Sequence, residues 1–306
     1  MKNQKILAFA QLLRLPNVFT AFADIGMACA ATGALANYPI ACLLAALASG
    51  FLYLSGMVWN DIFDRAEDAQ VRTFRPIPSG RVRLRTAIWL AIGLMLAGGI
   101  SVVALGYVDA PATGAWIAPP LVAAVLAVAI LLYDGWLKHT PVGPVGMGMC
   151  RFLNVLLGLS IGDLSHFPDV LLVHLPAIVG IYIVGVTWFA RTEEGESQRG
   201  QLIAAASVMA LAGGLALAVP IHRATGATLW AFPYLLVAWG FFVGIPLVHA
   251  IRIPTPKRVQ AAVKRSIFGL VILDAVVATA FVGWWGLLLA LLLLPAIWLG
   301  RRVYST

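Results

Sequence analysis

Apolar runs of about twenty residues recur along nearly the whole chain, and they decide what it can fold into. A hydrocarbon core of about 30 Å takes about 20 helical residues to cross. Lipid satisfies no backbone polar group, so only helices or closed barrels cross it. These runs are continuously apolar and do not alternate, which selects helices over a barrel. Charged residues make up only 11% of the chain and mean hydropathy is +0.92, whereas a soluble domain carries about a quarter charged residues. The fold class is therefore all-α: a polytopic membrane bundle of nine to ten transmembrane helices in one domain spanning residues 1–306. The expected spans are 12–36, 40–59, 84–107, 115–135, 142–162, 170–190, 200–220, 228–251, 261–283 and 285–301. Only the Gly283–Gly286 region separates the last two, so the tenth is either a span or a re-entrant or interfacial segment.

The basic residues orient the bundle. With the N-terminus in the cytoplasm and the sides alternating, 19 of the 21 Lys and Arg residues fall on the inside, as the positive-inside rule requires. Only Arg223 falls in an outside loop, and Arg151 lies within a span. The net charge of +8 is thus a topology signal facing anionic lipid, and it needs no nucleic acid. Arg14, Pro16 and Asn17 interrupt the first apolar stretch, so the N-terminus reads as a mature cytoplasmic end and not a cleaved signal. Cys29, Cys42 and Cys150 all sit in apolar runs, without metal-ligand spacing or a disulfide framework.

Carboxylates do not follow from topology, yet eight gather at inside ends of spans: Asp61, Asp64, Glu67, Asp68, Asp134, Glu193, Glu194 and Glu196. The strongest group is Asn60-Asp61-Ile62-Phe63-Asp64-Arg65-Ala66-Glu67-Asp68. On a continuing helix, positions 61, 64 and 68 lie within about 60° of one another. Three carboxylates on one edge repel. A Mg²⁺ ion relieves that, since it takes oxygen ligands and bridges carboxylates to substrate phosphates. Arg72 and Arg75 follow, in a loop broken by Pro76, Pro78 and Gly80. Arginine forks match phosphate oxygens. Acids for a metal beside arginines for phosphate are the makeup of a diphosphate site.

These residues resemble the UbiA superfamily of intramembrane prenyltransferases. Asn60 to Asp68 fits the first acidic motif of that family, N-D-x-x-D-x-x-x-D, at every fixed position. Arg75-Pro-Ile-Pro-Ser-Gly80 matches the sequence that follows it. Leu13-Arg14-Leu15-Pro16-Asn17 looks like the opening of the first span, and Tyr133 with Leu137-Lys138 like the end of the fourth. Within the superfamily the chain is most similar to the EboC-like branch. The resemblance implies nine spans around a central cavity, with residues 284–306 as an extra C-terminal helix. It also implies Mg²⁺-dependent transfer of a prenyl group from a prenyl diphosphate to a small-molecule or lipid acceptor at the cytoplasmic face. Asp61, Asp64 and Asp68 would be catalytic metal ligands. Asn60, Arg72, Arg75 and Lys138 would contact diphosphate, with Asn17 and Tyr133 as further substrate contacts.

The second acidic motif departs from the family's D-x-x-x-D. Thr192-Glu193-Glu194-Gly195-Glu196 stands in its place, which leaves Glu193 and Glu196 as the candidate metal ligands, one helical turn apart. Asp24 and Asp274 lie inside apolar runs, where ionisable residues are costly and point either to cavity lining or to a buried hydrogen bond. Arg151 and Asn154 sit one turn apart on one face and are candidate cavity and substrate residues. Asp134 is expected to pair with Lys138 at i,i+4. Two other functions fit parts of the pattern. A transporter would also use buried Asp24 and Asp274, although no internal repeat favours it. A lipid-binding homologue altered in catalysis would explain the changed second motif.

Overall fold

The computed structural model describes residues 2–108, 118–165, 167–191, 198–222 and 229–303. Its described residues form helices and turns, with no strand. The α-helices are α1 (Lys2–Leu12), α2 (Val18–Ala31), α3 (Ala34–Asn37), α4 (Pro39–Phe63), α5 (Arg65–Val71), α6 (Leu84–Val103), α7 (Ala118–Gly135), α8 (Gly143–Leu159), α9 (Asp169–Ala190), α10 (Arg199–Leu217), α11 (Phe232–Arg252), α12 (Pro256–Val282) and α13 (Leu293–Val303). Prolines start several of them. Pro39 and Pro256 occupy first-turn positions, where the missing N–H has no intrahelical partner to lose.

Seven helical segments are long and apolar enough to cross a membrane, and α1 with α2 makes an eighth as a pair bent by 45°. Helix α8 is apolar but shorter, at 17 residues. The segment Pro256–Val303 counts once among the seven, yet it doubles back on itself. Gly283, at φ 62°, ends α12. Residues Gly283–Leu292 then run as a 3₁₀ helix against α12. At Gly286 an added Cβ would lie 2.5 Å from the Thr279 amide nitrogen, so only glycine permits the approach. Ten 3₁₀ residues are unusual, but the greater rise has a use. At about 2.0 Å per residue, followed by α13 at about 1.5 Å, the segment returns about 36 Å. It ends where Gln11 Nε2 donates to the Val303 carbonyl at 3.1 Å.

Helix α2 is the hub. It packs against α4, α8 and α12, and ten of its fourteen residues are buried. Its small residues (Ala21, Ala23, Ala28, Ala30) let neighbouring backbones come close, as lipid-embedded interfaces require. The same device joins α8 to α9, where a Cβ on Gly148 would sit 2.7 Å from the Gly180 carbonyl. Around α2 the remaining helices follow in chain order, α4 against α6 and α7, then α7 to α12 each against the next. One apolar cluster fills the half made by α8 to α12, and a second fills the half made by α2, α4, α7 and α8. The cavity expected at the centre of the bundle lies in the second half. Its walls are Ala21 of α2, Tyr53 and Met57 of α4, Leu126, Ile130 and Tyr133 of α7, and Met147 and Cys150 of α8.

Candidate active site

Helix α4 carries the first acidic motif out of the bundle almost unbroken. The Asp64 amide donates to the Asn60 carbonyl at 3.0 Å and the Asp68 amide to the Asp64 carbonyl at 2.9 Å. Helical register therefore persists through the junction with α5, and residues two turns apart share a face. Asp61 and Asp68 do so: one guanidinium nitrogen of Arg75 lies 3.5 Å from Asp61 Oδ1 and 2.8 Å from Asp68 Oδ2. Asp64 turns aside. Lys138 Nζ lies 2.6 Å from its Oδ1, an ion pair off the hydrogen-bond axis.

The loop after α5 folds so that Arg75 reaches back. The Arg75 amide donates to the Arg72 carbonyl at 3.0 Å, the Ser79 hydroxyl to the Arg75 carbonyl at 2.6 Å, and the Val82 amide to the Pro76 carbonyl at 2.9 Å. Gly80 takes φ +71°, which a Cβ would resist. Arg72 pairs with Asp68 one turn away at 3.4 Å. Arg81 donates to the Phe74 carbonyl at 2.5 Å and to Gln11 Oε1 at 2.8 Å, tying the loop to itself and to α1.

Arg14 completes the cluster. Its backbone is left-handed at φ 45°, the single such non-glycine among the described residues, a conformation that costs about 1–3 kcal/mol. From there its guanidinium donates to Asn60 Oδ1 at 3.2 Å and to Asp61 Oδ1 at 3.3 Å. Three carboxylates (Asp61, Asp64, Asp68) thus face four cations (Arg14, Arg72, Arg75, Lys138), one cation in surplus. Of these, Asp61, Arg14, Arg72 and Arg75 line an open basin of about 700 Å³, together with Asn17, Phe74 and Ser79.

Asn60 joins this basin to the apolar cavity. Its Oδ1 accepts from Arg14, its Nδ2 donates to Asp134 Oδ1 at 3.0 Å, and its carbonyl accepts from Lys138 at 3.4 Å. Asp134 lines the cavity, which has an accessible volume of about 50 Å³. The expected Asp134–Lys138 pair is not the one that forms. Lys138 ends the α7 turn facing Asp64, while Asp134, four residues earlier and buried, is satisfied by Asn60. Arg191, at the end of α9, donates to the Lys138 and Pro141 carbonyls at 3.4 and 3.3 Å and to the Thr140 carbonyl. It fixes the turn that carries Lys138. Glu193 and Glu196 themselves lie outside the described residues.

Arg151 and Asn154 also line the cavity, but their polar groups are turned away into α2. Arg151 donates to Asp24 Oδ2 at 2.9 Å and to Thr20 at 2.7 Å, and Asn154 donates to Asp24 Oδ2 at 2.8 Å. Ser49 donates to Asn154 Oδ1 at 2.6 Å. Asp24 answers to the buried-hydrogen-bond reading. Asp274 is fully buried against it, and neither Asp274 oxygen has a hydrogen-bond donor among the described residues.

A cation already bridges Asp61 and Asp68, so this pair suits a divalent ion. Mg²⁺ commonly takes one or two protein carboxylates and completes its shell with water and phosphate. Among the described residues no three His, Cys, Asp or Glu side chains converge as a metal cage.

The chain matches the UbiA prenyltransferase family over residues 17–254. The chain belongs to that family. Two curated relatives are named digeranylgeranylglyceryl phosphate synthase. The Metallosphaera sedula protein is 33% identical over 43% of this chain and 43% of its own length. The Methanopyrus kandleri protein is 28% identical over 76% of this chain and 83% of its own length. The chain spans less than half the length of the first curated relatives it matches, 41% and 43%. A UbiA homologue from Archaeoglobus fulgidus, solved bound to GPP and Mg²⁺, shares the fold at a TM-score of 0.60, with 15% identity over 88% of this chain and 99% of its own. In this UbiA member the matched region runs from Asn17 to Pro254 and contains the cavity, Asn60 and the basin apart from Gln11 and Arg14. Residues 255–306, with the Gly283 hairpin, lie beyond it.

Proposed function

We propose that this protein is an integral membrane prenyltransferase that moves a prenyl group from a prenyl diphosphate to a hydroxyl-bearing lipid or small-molecule acceptor, with Mg²⁺. The observation that carries the reading is the pair of compartments joined at Asn60. A charged basin stands over an apolar cavity, as a substrate with an anionic head and a hydrocarbon tail requires. Asp61 and Asp68, with Asp64 beside them, would hold Mg²⁺, which supplies charge neutralisation to the departing diphosphate. Arg14, Arg72, Arg75 and Lys138 would bind and orient its oxygens, since fixed cations stabilise charge where it develops. Arg75 gives up its bridge to metal and turns to phosphate in this reading. Tyr53, Met57, Leu126 and Ile130 exclude water from the allylic carbon, so that it meets the acceptor first.

The synthase names of the relatives and the GPP and Mg²⁺ of the Archaeoglobus structure support the donor class and the metal. The acceptor is read as a lipid-type hydroxyl on the same ground. Orientation belongs to the same reading: the basin faces the cytoplasm on a bacterial-type inner or plasma membrane, by the distribution of Lys and Arg. So does the crossing count, with α8 spanning despite its length and Gly283–Val303 returning as a tenth pass. The EboC-like assignment rests on motif resemblance.

The test is direct. Purified protein is incubated with Mg²⁺, labelled prenyl diphosphates of several chain lengths and an extract of polar lipids. Diphosphate release and a labelled lipid product are expected, both lost in Asp64→Ala. Release that persists unchanged in Asp64→Ala overturns the assignment of the first motif.

A further inference from the structure

A second polar cleft lies away from the basin, between α11 and α12. Ile245, Pro246 and His249 of α11 and Arg258, Ala261 and Arg265 of α12 line about 480 Å³. Positions 258, 261 and 265 fall on one face of a helix. Arg258, Arg265 and His249 are exposed. Among the described residues no carboxylate pairs with any of the three. Arg265 is held in place from below, its guanidinium 4.6 Å over the Phe242 ring. Ile245 is 53% exposed on the flank that faces lipid.

Depth sharpens this. Helix α12 has 27 residues, and roughly 20 of them cross the hydrocarbon. Counted back from Val282, the hydrocarbon begins near Val263. Arg258 then stands in the headgroup layer and Arg265 at its inner edge, about 10 Å deeper along the axis. A cation at that depth needs an anionic partner or a path to water. Basic clefts between helices on the Lys- and Arg-rich side of a membrane attract anionic headgroups.

We propose that this cleft binds the headgroup phosphate of one anionic phospholipid, with Arg258 and Arg265 as its cationic ligands and Ile245, Pro246 and Ala261 against the glycerol and upper acyl carbons. The leaflet follows from the orientation proposed above. Binding itself does not depend on that orientation or on transferase activity, so the two readings fail separately.

Native mass spectrometry of the full-length protein in neutral detergent tests it, with phosphatidylglycerol and phosphatidylcholine of matched chains as probes. One phosphatidylglycerol is expected to bind, and phosphatidylcholine to bind far more weakly. The Arg258→Gln/Arg265→Gln variant should lose affinity roughly tenfold or more, while Arg301→Gln/Arg302→Gln keeps it. Ala261→Trp fills the cleft without removing charge and should also lose the lipid. It carries the test if the double variant melts early. Equal retention of phosphatidylglycerol by wild type, the double variant and Ala261→Trp overturns the proposal. So does equal binding of phosphatidylcholine. Displacement of the lipid by millimolar inorganic phosphate overturns the choice of a lipid in favour of a soluble phosphate.

Discussion

Two clusters in this protein use the same groups, aspartates met by arginines, to opposite ends. In the basin, Asp61 and Asp68 are buried, but their partners are not: the side chains of Arg14, Arg72 and Arg75 are 32%, 26% and 21% exposed. In the bundle interior, Asp24 is fully buried and Arg151 is 11% exposed. Every polar group of Arg151 and Asn154 that reaches α2 finds an acceptor there. The interior cluster turns its polar groups inward and stitches α8 to α2. The basin opens on water, holds a surplus cation and shares one guanidinium nitrogen between two carboxylates. Its contacts are ones that a metal and a diphosphate can replace. Access, not residue type, separates a site from a brace.

The comparison breaks if chemistry follows the brace or stability follows the basin. Removal of Mg²⁺ by a chelator should have the largest effect. Turnover should fall by about 10³-fold or more, since the metal neutralises the leaving group, while the melting temperature of the ligand-free protein stays put. Next comes Asp24→Ala, which strands the buried Arg151 and should cost about 3–5 kcal/mol of stability, read as an earlier thermal transition in detergent. Folded Asp24→Ala should still bind donor. Asp68→Asn should do the reverse. Loss of one carboxylate proposed to hold the metal should lower turnover about 10²-fold, and the melt should move little because Arg72 and Arg75 remain solvated. Arg14→Ala should raise KM for the donor about tenfold with kcat nearly kept. A melt that collapses with Asp68→Asn, or a kcat that collapses with Asp24→Ala, would reverse the roles assigned to the two clusters.

Some of this is legible in the sequence and some is not, for physical reasons. Apolar runs report helices because lipid admits little else, so the all-α class and the apolar helices read directly, while the number of crossings does not. Asp61, Asp64 and Asp68 read as a group because helical spacing is local. What spacing cannot report is pairing across the fold. Asn60 meets Asp134 and Arg14, and Lys138 meets Asp64, over separations of 46 to 74 residues. The i,i+4 expectation for Asp134 and Lys138 lost to these longer contacts. In the sequence Arg14 reads as a break in the first apolar stretch and as part of a span opening, not as a site residue. Its left-handed backbone, set by the break between α1 and α2, is what aims it at Asp61. The hairpin at Gly283 was marked by its glycines, but its 3₁₀ return has no pattern of its own.

The finest test of the comparison lies inside the brace. Ser49 donates its hydroxyl to Asn154 Oδ1 and sits 1% exposed on α4. Through Asn154 it couples α4, which ends in the first acidic motif, to α2 and Asp24. Ser49→Ala leaves the Asn154 oxygen without that donor, in an interior with no bulk water. Hydrogen bonds between membrane helices are worth about 0.6 to 1.7 kcal/mol, so the melt should move by a small, measurable step. Turnover per folded molecule should not change, because Asn60 and Asp61 lie three turns away and take their positions from Arg14, Arg75 and Lys138. A double-mutant cycle with Asn154→Ala isolates the coupling. A cycle that shows coupling in kcat but none in stability would make Ser49 part of the active site, and the boundary drawn between the two clusters would have to move.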